Sequence, residues 1–410
     1  MSEQSDIAVL RELARRYADI TAKPVQAERR DLWRRHNSLQ RTRPLVYCRW
    51  FACNNELIDP DLECEDPFFR GHERALRHFL YQDRLADDFI LEPWITQPAT
   101  RITPPDGLWG VKIGRIPSDV KGGAWMFDPP LKQPDDVRSL VPPHHQIDEA
   151  ATGRNVSRLH DAVGDLLAID VDRGPAWTVW HGDLSTDLAG LRGLEQMMWD
   201  MVDNADWLHE LLGFMRDGIL AAQQQAEDAG DWHLGNHQNQ AMPYAQELPD
   251  PRANSESVTR DHLWVFCASQ ETTDVSPAMF DEFMLQYQIP IIQRFGLSAY
   301  GCCEDLTRKI DRLRNIPNLR RIAVTPWADV AACAEQIGTD YVLSWRPSPA
   351  DHVCAGFDTD FVRRSIRQGL EASKGCHVDI TLKDIETVEN DPQRLIEWTR
   401  IVREVCEQYA

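Results

Sequence analysis

The sequence predicts an α/β protein, and within that class a (β/α)8 TIM barrel with N-terminal helices and long rim loops. Eight short, nearly continuous apolar segments recur along the 410 residues, and such segments are typical of a parallel sheet buried on both faces. Helical patterns occupy most of the gaps between them, which is the alternation of a barrel. An open doubly wound sheet is the alternative, but no Gly-rich phosphate loop follows any of the eight segments.

The elements follow one another in a simple order. Residues 1–40 have apolar side chains at helical spacing and predict an N-terminal helical extension, whereas residues 41–410 predict the barrel. Irregular insertions at about 95–174 and 230–260 predict lids or binding loops. The expected strands are residues 45–50, 89–94, 176–181, 263–268, 297–302, 321–326, 341–345 and 377–382.

Helix signals separate the later strands. Ser276 and Pro277 are a typical N-cap and first-turn pair ahead of an apolar helical pattern. Pro290 is expected to kink or divide that helix, because proline removes a backbone donor. Residues 358–370 and 391–409 predict two further helices.

Composition favours a folded protein with an acidic surface. Hydrophobic residues make up 42% of the chain and charged residues 27%, which is enough apolar material for a large core. The formal net charge of −21 repels phosphate backbones and anionic lipid. A small-molecule substrate is therefore expected rather than nucleic acid or a membrane. The sequence does not decide whether the protein forms a homodimer. No apolar run reaches the ~20 residues of a membrane span, and the first residues lack a signal-peptide pattern. The ten scattered cysteines are therefore expected as reduced thiols in the cytoplasm.

The most informative stretch is the pair Cys302 and Cys303, followed by Glu304, at the end of the fifth expected strand. Vicinal cysteines rarely reach disulfide geometry. Zinc accepts thiolate, imidazole and carboxylate ligands, and a catalytic zinc needs three of them and an open position. The strand ends offer as metal ligands Cys302, Cys303, Glu271 and Asp384, with His181 as a further donor. The alternative is that one cysteine packs between barrel and helix while the other lines the pocket.

Acid–base chemistry is expected from His181, which stands at the end of the third expected strand, two residues before Asp183. A neighbouring carboxylate can orient an imidazole and raise its pKa. Glu92, at the end of the second expected strand, is a further candidate acid. A hydrogen-bonded structural histidine is the alternative for His181.

Two arginines and two tryptophans at strand ends are candidate substrate contacts. The planar forks of the arginines can clamp a carboxylate or phosphate, although pairing with strand-end acids explains them equally well. The tryptophans can wall an apolar or planar pocket, with barrel packing as the alternative. The four residues are Arg49, Arg346, Trp180 and Trp327.

Four stretches carry a family resemblance. They are the helices ahead of residues 43–46, residues 275–283 with residues 288–290, the cysteine strand, and residues 379–385. Together they resemble the uroporphyrinogen decarboxylase superfamily over most of the chain. The resemblance implies a (β/α)8 barrel, in agreement with the strand pattern. It places the chain as a divergent member, closer to the zinc-dependent corrinoid methyltransferases of that superfamily than to true decarboxylases.

Departures from the family's motifs distinguish between its activities. The decarboxylases carry an Arg-Gln-Ala-Gly-Arg motif after the first strand, where only Arg49 matches, and Glu92 stands where they have a catalytic aspartate. The methyltransferases carry His-x-Cys at the cysteine strand and a last ligand cysteine after the final strand. This chain keeps Cys302, has Tyr300 in place of the histidine, and has residues 383–384 in place of the last cysteine. Tyr300 thereby becomes a candidate catalytic residue.

The resemblance implies a zinc-dependent, methyltransferase-like enzyme. It would move a methyl group from a small substrate to a thiol or to a corrinoid carried by a partner protein. Zinc would activate the thiol or polarise the group that carries the methyl. Two alternatives stay open: a metal-free decarboxylase or lyase acting on a small carboxylate, and a barrel that binds a ligand without catalysis.

Overall fold

The computed structural model describes residues 3–119 and 125–409. The strands are β1 (Leu45–Cys48), β2 (Trp94–Pro98), β3 (Gly114–Pro117), β4 (Trp125–Asp128), β5 (Ala168–Asp172), β6 (Trp264–Cys267), β7 (Leu297–Tyr300), β8 (Leu319–Val324), β9 (Val342–Trp345) and β10 (His377–Leu382). The helices are α1 (Glu3–Thr21), α2 (Val25–Asn37), α3 (Asn54–Leu57), α4 (Pro67–Leu85), α5 (Glu149–Val163), α6 (Ser185–Arg192), α7 (Leu194–Asp203), α8 (Ala205–Asp228), α9 (Pro277–Phe280), α10 (Gln286–Ile292), α11 (Ile310–Leu313), α12 (Val330–Ile337), α13 (Thr359–Ala372) and α14 (Gln393–Cys406).

Among the described residues, six strands form a parallel sheet in the order β1-β10-β9-β8-β7-β6. β2 and β5 pair in parallel as a second sheet, and β3 and β4 form an antiparallel hairpin. Irregular backbone borders both outer strands of the six-stranded sheet: Asp88 N donates to Val46 O at 2.8 Å, and Gln238 N donates to Trp264 O at 3.1 Å. Helices separate the successive strands from β6 to β10. The predicted α/β class is confirmed.

Six of the eight expected strands are confirmed, and the other two are not where the apolar runs put them. The second begins only at Trp94, so that residues 89–93 are irregular backbone. The strand that pairs with it is β5, inside the insertion at 95–174 that was expected to be loop. β5 alternates between Ile169, which packs against α5, and buried Asp170. It therefore lacks the continuous apolar run by which the other strands were found.

The prediction of a strand at residues 176–181 was wrong. Val179 has a φ of 51°, which extended backbone does not adopt, and Val179–His181 forms a 3-10 turn. The apolar residues of this segment serve the core instead. Trp177 is buried against Trp109 with ring centroids 4.7 Å apart. An apolar run in a packed loop thus has the composition of a strand without its geometry.

The predicted helix start at Ser276 and Pro277 and the two later helices are confirmed, whereas Pro290 lies inside a helix that it does not divide. Ser276 caps the helix that starts at Pro277, and its hydroxyl accepts a hydrogen bond from Met279 N. A π-helical turn, Asp281–Leu285, then leads into α10, which contains Pro290. α13 and α14 cover the other two predicted helices.

The first helix shows how the N-terminal segment joins the rest of the protein. α1 buries a stripe at helical spacing, made of Leu10, Leu13, Ala14 and Tyr17. This stripe shares an apolar cluster with side chains of α4, α5 and β5. In the part of the chain that the structure describes, no helix combines the length and the apolar character that a membrane crossing requires.

A buried ionic cluster joins three strands and α2. Asp379 of β10 accepts hydrogen bonds from Arg321 Nη2 of β8 at 2.8 Å and from Ser344 Oγ of β9 at 2.8 Å. His36 Nε2 of α2 lies 3.1 Å from the same carboxylate. Burial alone would raise the pKa of Asp379, but Arg321 and His36 outweigh it and hold the pKa at about 2. The carboxylate is therefore charged in the core and depends on these partners.

Replacing this carboxylate tests its structural role. We expect Asp379→Asn to lower the free energy of unfolding by about 3–5 kcal/mol, because the Arg321 guanidinium then stays buried without its counter-charge. Urea unfolding followed by circular dichroism measures the change. Lys132→Ala, which removes an exposed ion pair with Asp128, is the control and should have a far smaller effect. Equal losses in the two variants would contradict the role given to Asp379.

Candidate active site

The two thiols of the cysteine pair lie side by side where β7 ends. Cys302 Sγ and Cys303 Sγ are 3.6 Å apart, with Cys302 buried and Cys303 exposed. Gly301 makes this possible, because its φ of +99° turns the chain out of the strand. A Cβ at that position would meet Leu306 Cδ1 at 2.6 Å. Once the strand has ended, successive side chains no longer alternate between faces, so both sulfurs can meet one ligand.

The backbone of the cysteine pair is held from two sides. Glu304 is buried and accepts hydrogen bonds from Cys302 N at 2.7 Å and from Ser269 N at 2.8 Å. From the end of β9, Arg346 Nη1 donates to Cys302 O at 2.5 Å. The sequence pattern placed Glu304 beside the thiols as a hard ligand at the strand end, whereas its carboxylate binds backbone donors in the structure.

The end of β10 brings a cation and a carboxylate to the sulfurs. Lys383 Nζ lies 3.3 Å from Cys302 Sγ and 3.2 Å from Cys303 Sγ, and it also contacts Asp384 Oδ2. Cys303 Sγ is 3.6 Å from the same Asp384 oxygen. Asp384 has a φ of 57°, so here too the backbone turns sharply after the strand. Cys303 and Asp384, which were predicted as ligands from separate strand ends, are thus in contact.

The surroundings of the thiol pair shift the pKa values of its two sulfurs in opposite directions. The hydrogen bond from Cys303, with the charges of Arg346 and Lys383, outweighs burial and lowers the pKa of Cys302 to about 6. The same hydrogen bond and burial raise the pKa of Cys303, which holds the shared proton. By contrast, burial raises the pKa of Cys267, which sequence reasoning assigned to the core. The cations beside the pair thus favour the thiolate form, which is the reactive form of cysteine.

Glu271 and Asp183 form a different polar group. Glu271 accepts hydrogen bonds from Ser185 Oγ at 2.7 Å and from Thr186 Oγ1 at 3.1 Å. Asp183 is fully buried and also accepts from Thr186. Burial, followed by the nearby charge of Glu271, raises the pKa of Asp183. Glu271, expected as a metal ligand, therefore belongs with the hydroxyl groups at the start of α6.

His181 has a carboxylate partner, but it is not the one expected from the sequence. His181 Nδ1 lies 2.9 Å from Asp187 Oδ1, and Trp109 Nε1 donates to Asp187 Oδ2 at 2.7 Å. The imidazole is half exposed while Asp187 is buried. The hydrogen bond from Asp187 outweighs burial and raises the pKa of His181. Asp187 was missed because the start of α6 at Ser185, which turns it toward the histidine, is not evident from sequence spacing.

Two other candidate catalytic residues are bonded to neighbouring side chains. Glu92 precedes β2 instead of following it, and it bonds to Arg30 Nη2 at 2.8 Å and to Tyr244 OH at 2.6 Å. Tyr300 is buried within β7, where its hydroxyl donates to Gln288 Oε1 at 2.6 Å. Both side chains are held in structural hydrogen bonds.

The candidate substrate contacts separate into two kinds. Trp180 packs edge-on against Phe266 of β6, with ring centroids 5.2 Å apart, and it borders the apolar cluster that contains Cys302. Trp327, after β8, has 79% of its surface exposed. Arg49 lies over the ring of Phe51, with its guanidinium carbon 5.0 Å from the centroid. Since Arg346 is bonded to the Cys302 carbonyl, the two arginines have separate partners in place of the expected clamp.

No family model matches the chain, and no curated protein is similar to it in sequence. A solved structure is similar in fold: a methyltransferase from Methanosarcina mazei, with a TM-score of 0.51 and 12% sequence identity. The match covers 93% of this chain and 98% of that one. The two proteins share a fold. At this identity, the likeness concerns the fold alone.

Two pairs of donor atoms around Lys383 have separations close to those of zinc ligands. Ligands on a tetrahedral zinc lie about 3.8 Å apart for two sulfurs and about 3.6 Å apart for a sulfur and an oxygen. The corresponding separations are 3.6 Å between Cys302 and Cys303 and 3.6 Å between Cys303 and Asp384. As the side chains stand in residues 3–119 and 125–409, however, no group of three or more His, Cys, Asp or Glu surrounds a metal position. The group that contacts all three of these donors is the Lys383 ammonium.

The His181–Asp187 pair predicts a pH-dependent contribution to stability. The folded-state pKa of His181 is raised, so its stabilising effect is fully present below the unfolded value and is lost as the pH rises through the folded one. We expect His181→Asn to destabilise the protein more at about pH 6 than at about pH 9. Thermal unfolding at the two pH values measures this. In an Asp187→Asn background the pH difference should vanish, and its persistence there would contradict the pairing.

Proposed function

We propose that the protein is a methyltransferase-like enzyme that uses zinc and transfers a methyl group from a small substrate to a thiol or corrinoid acceptor. The observation that carries the proposal is the thiol pair with Asp384, three donors of the kinds that zinc accepts, at the separations given above. Cys303 is exposed, so the pair is open to a reactant. An open fourth position is what distinguishes a catalytic from a structural zinc site.

The fold supports the proposal. The similar solved structure is a methyltransferase, and it matches over nearly the whole length of both chains. We take β1, β2, β5 and β6 to β10 as the eight strands of a (β/α)8 barrel. In such a barrel the carboxyl ends of the strands form the active rim. The cysteine pair, Arg346 and Lys383 all follow carboxyl ends of strands in the six-stranded sheet.

The residues of the site have separate tasks. Cys302, Cys303 and Asp384 would hold the zinc ion. When bound, zinc would supply a Lewis acid that activates an acceptor thiol or polarises the group carrying the methyl. Glu304 and Arg346 fix the backbone of Cys302 and so orient its sulfur. Such supporting contacts usually change metal affinity or activity by about 10–100-fold when they are removed.

His181 would supply the proton that methyl transfer from oxygen or nitrogen requires. The bond between the methyl carbon and the substrate's oxygen or nitrogen breaks, and its electron pair stays on that atom. The methyl carbon forms its new bond with the electron pair of the acceptor. An imidazolium whose pKa is raised by Asp187 can give its proton to the departing atom. Trp180 and Phe266 provide an apolar wall beside this segment.

The proposal is tested by metal content and methyl exchange. We expect zinc at close to one equivalent in the purified protein, because the thiol pair and Asp384 offer one set of three donors of the kinds that zinc accepts. Methyl exchange between 2-mercaptoethanol and a corrinoid, started from methylcobalamin and followed by the visible absorbance of the corrinoid, probes the reverse of transfer from a small methyl thioether to a corrinoid. Replacing Cys302 and Cys303 together by serine should remove the zinc and slow the exchange at least about 100-fold.

Cys376→Ser is the matched control for the double variant. This thiol is half buried, and its sulfur contacts Ala334 O at 3.6 Å. The control should keep the zinc and the full exchange rate. A zinc-free preparation whose double-serine variant exchanges methyl groups as fast as the wild type would contradict the proposed function.

A further inference from the structure

Asp183 and Glu271 are joined by a single hydroxyl group. Thr186 Oγ1 lies 3.2 Å from Asp183 Oδ2 and 3.1 Å from Glu271 Oε1. A hydroxyl carries one proton and can donate only one hydrogen bond. Two ionised carboxylates can only accept, so one of the two contacts would then contain no proton. Both contacts are satisfied when one of the two acids is protonated.

The burial and the bonding of the two acids indicate which of them holds this proton. Glu271 is half buried, and its other oxygen accepts a hydrogen bond from Ser185 Oγ at 2.7 Å. Asp183 is fully buried, and its Oδ1 accepts from Thr186 N at 3.1 Å. Burial disfavours the charged form of an acid. A protonated Asp183 Oδ2 therefore donates to Thr186 Oγ1, and the threonine hydroxyl donates to Glu271.

The ionisable groups around Asp183 also favour its neutral form. Burial has the largest effect and raises the pKa of Asp183, and the charges of Glu271 and then Asp187 raise it further. Cys267 of β6 and Tyr300 of β7 face the same carboxyl group, and each would add a negative charge on ionising. These four neighbours are all acids, so none of them stabilises an Asp183 carboxylate.

The acid pair is fixed at the carboxyl end of β6. Gln288 Nε2 of α10 donates to Asp183 O at 2.6 Å and to Ala268 O, just after β6, at 2.9 Å. Glu271 follows the same strand. Because β6 and β7 are parallel neighbours, the end of β6 lies at the same edge of the sheet as the thiol pair. Glu271 is the outer member of the pair at this edge.

We propose that Asp183, Thr186 and Glu271 hold one shared proton, and that Glu271 is the member that exchanges protons with a bound substrate. The role of Glu271 rests on the proposed function and deepens it, whereas the shared proton does not depend on that function. When a thiol accepts a methyl group, its S–H bond breaks and the electron pair of that bond stays on sulfur. Glu271 takes the proton. The sulfur uses an electron pair to bond to the methyl carbon, and the pair of the broken carbon bond stays on the methyl carrier.

Infrared spectra of the full-length protein test the shared proton. A protonated carboxyl group has a carbonyl stretching band that a carboxylate lacks. We expect this band in the wild type at neutral pH and its loss in Asp183→Asn. Asp128→Asn, which removes an exposed carboxylate, is the control and should keep the band. In Glu271→Gln the band should disappear at a lower pH than in the wild type, because the neighbouring negative charge is gone.

Two variants of Thr186 form a matched pair, since serine keeps the hydroxyl group and valine removes it. Thr186→Val should shift the carbonyl band of Asp183, because the acid loses the oxygen to which it donates. Thr186→Ser should leave the band in its wild-type position.

The methyl exchange with 2-mercaptoethanol tests the role of Glu271. Glu271→Gln should slow the exchange at least about 100-fold at neutral pH, which is the lower range for removal of a general base. The loss should shrink as the pH rises past the pKa of the thiol, since the thiol then ionises without a base. A purely structural role of Glu271 would lower the rate by the same factor at every pH.

The outcomes separate this inference from the proposed function. A wild type without an Asp183-dependent band, or a band that disappears at the same pH in Glu271→Gln, overturns the shared proton. An exchange rate that Glu271→Gln leaves unchanged, or lowers equally at every pH, overturns the role of Glu271. A wild type that exchanges no methyl groups contradicts the proposed function and with it the role of Glu271, while the infrared spectra still decide on the shared proton.

Discussion

The buried pair of Asp379 and Arg321 fixes how β8, β9 and β10 lie against one another, and the thiol site depends on that alignment. Arg321 pairs in register with Val342 of β9, which in turn pairs with His377 at the start of β10. A shift of one residue would turn each side chain to the opposite face of the sheet. Such a shift would move Asp379 away from Arg321 and, at the same time, Lys383 away from the two sulfurs. β10 thus carries Asp379 near its start, and Lys383 follows directly after its end.

The site is assembled from three strand ends by local breaks in the backbone. Gly301 turns the chain after β7, and Asp384 turns it after β10, both with positive φ. Arg346 follows β9 directly and reaches the carbonyl of Cys302. In a chain with 65 acids and 44 bases, two buried cations are directed at one thiol pair.

Much of the fold was predictable because buried parallel strands have a composition of their own. The six strands of the larger sheet were found as apolar runs. β5 was missed because Asp170 interrupts its apolar run. Residues 176–181 were wrongly predicted as a strand because Trp177 is an apolar residue that packs in the core. Placing the second strand too early had a consequence for function. Glu92 was taken as a residue at a carboxyl end, but it precedes the strand and is paired with Arg30.

The site was predictable where backbone continuity sets positions and not where side-chain packing does. Cys302, Cys303 and Asp384 were grouped from strand ends alone, and they meet. Asp187, rather than Asp183, orients His181, because the start of α6 decides which carboxylate faces the ring. The contact of Lys383 with both sulfurs depends on the path of its side chain. No sequence pattern predicts that path.

The most direct test of a zinc site built on the thiol pair is X-ray absorption spectroscopy of the zinc-loaded protein. The expected spectrum has two sulfur ligands at about 2.3 Å and lighter ligands, nitrogen or oxygen, at about 2.0–2.2 Å. Replacing either Cys302 or Cys303 by serine should reduce the count to one sulfur. A zinc shell without sulfur, or with a single sulfur in the wild type, would contradict the assignment of both thiols to the metal.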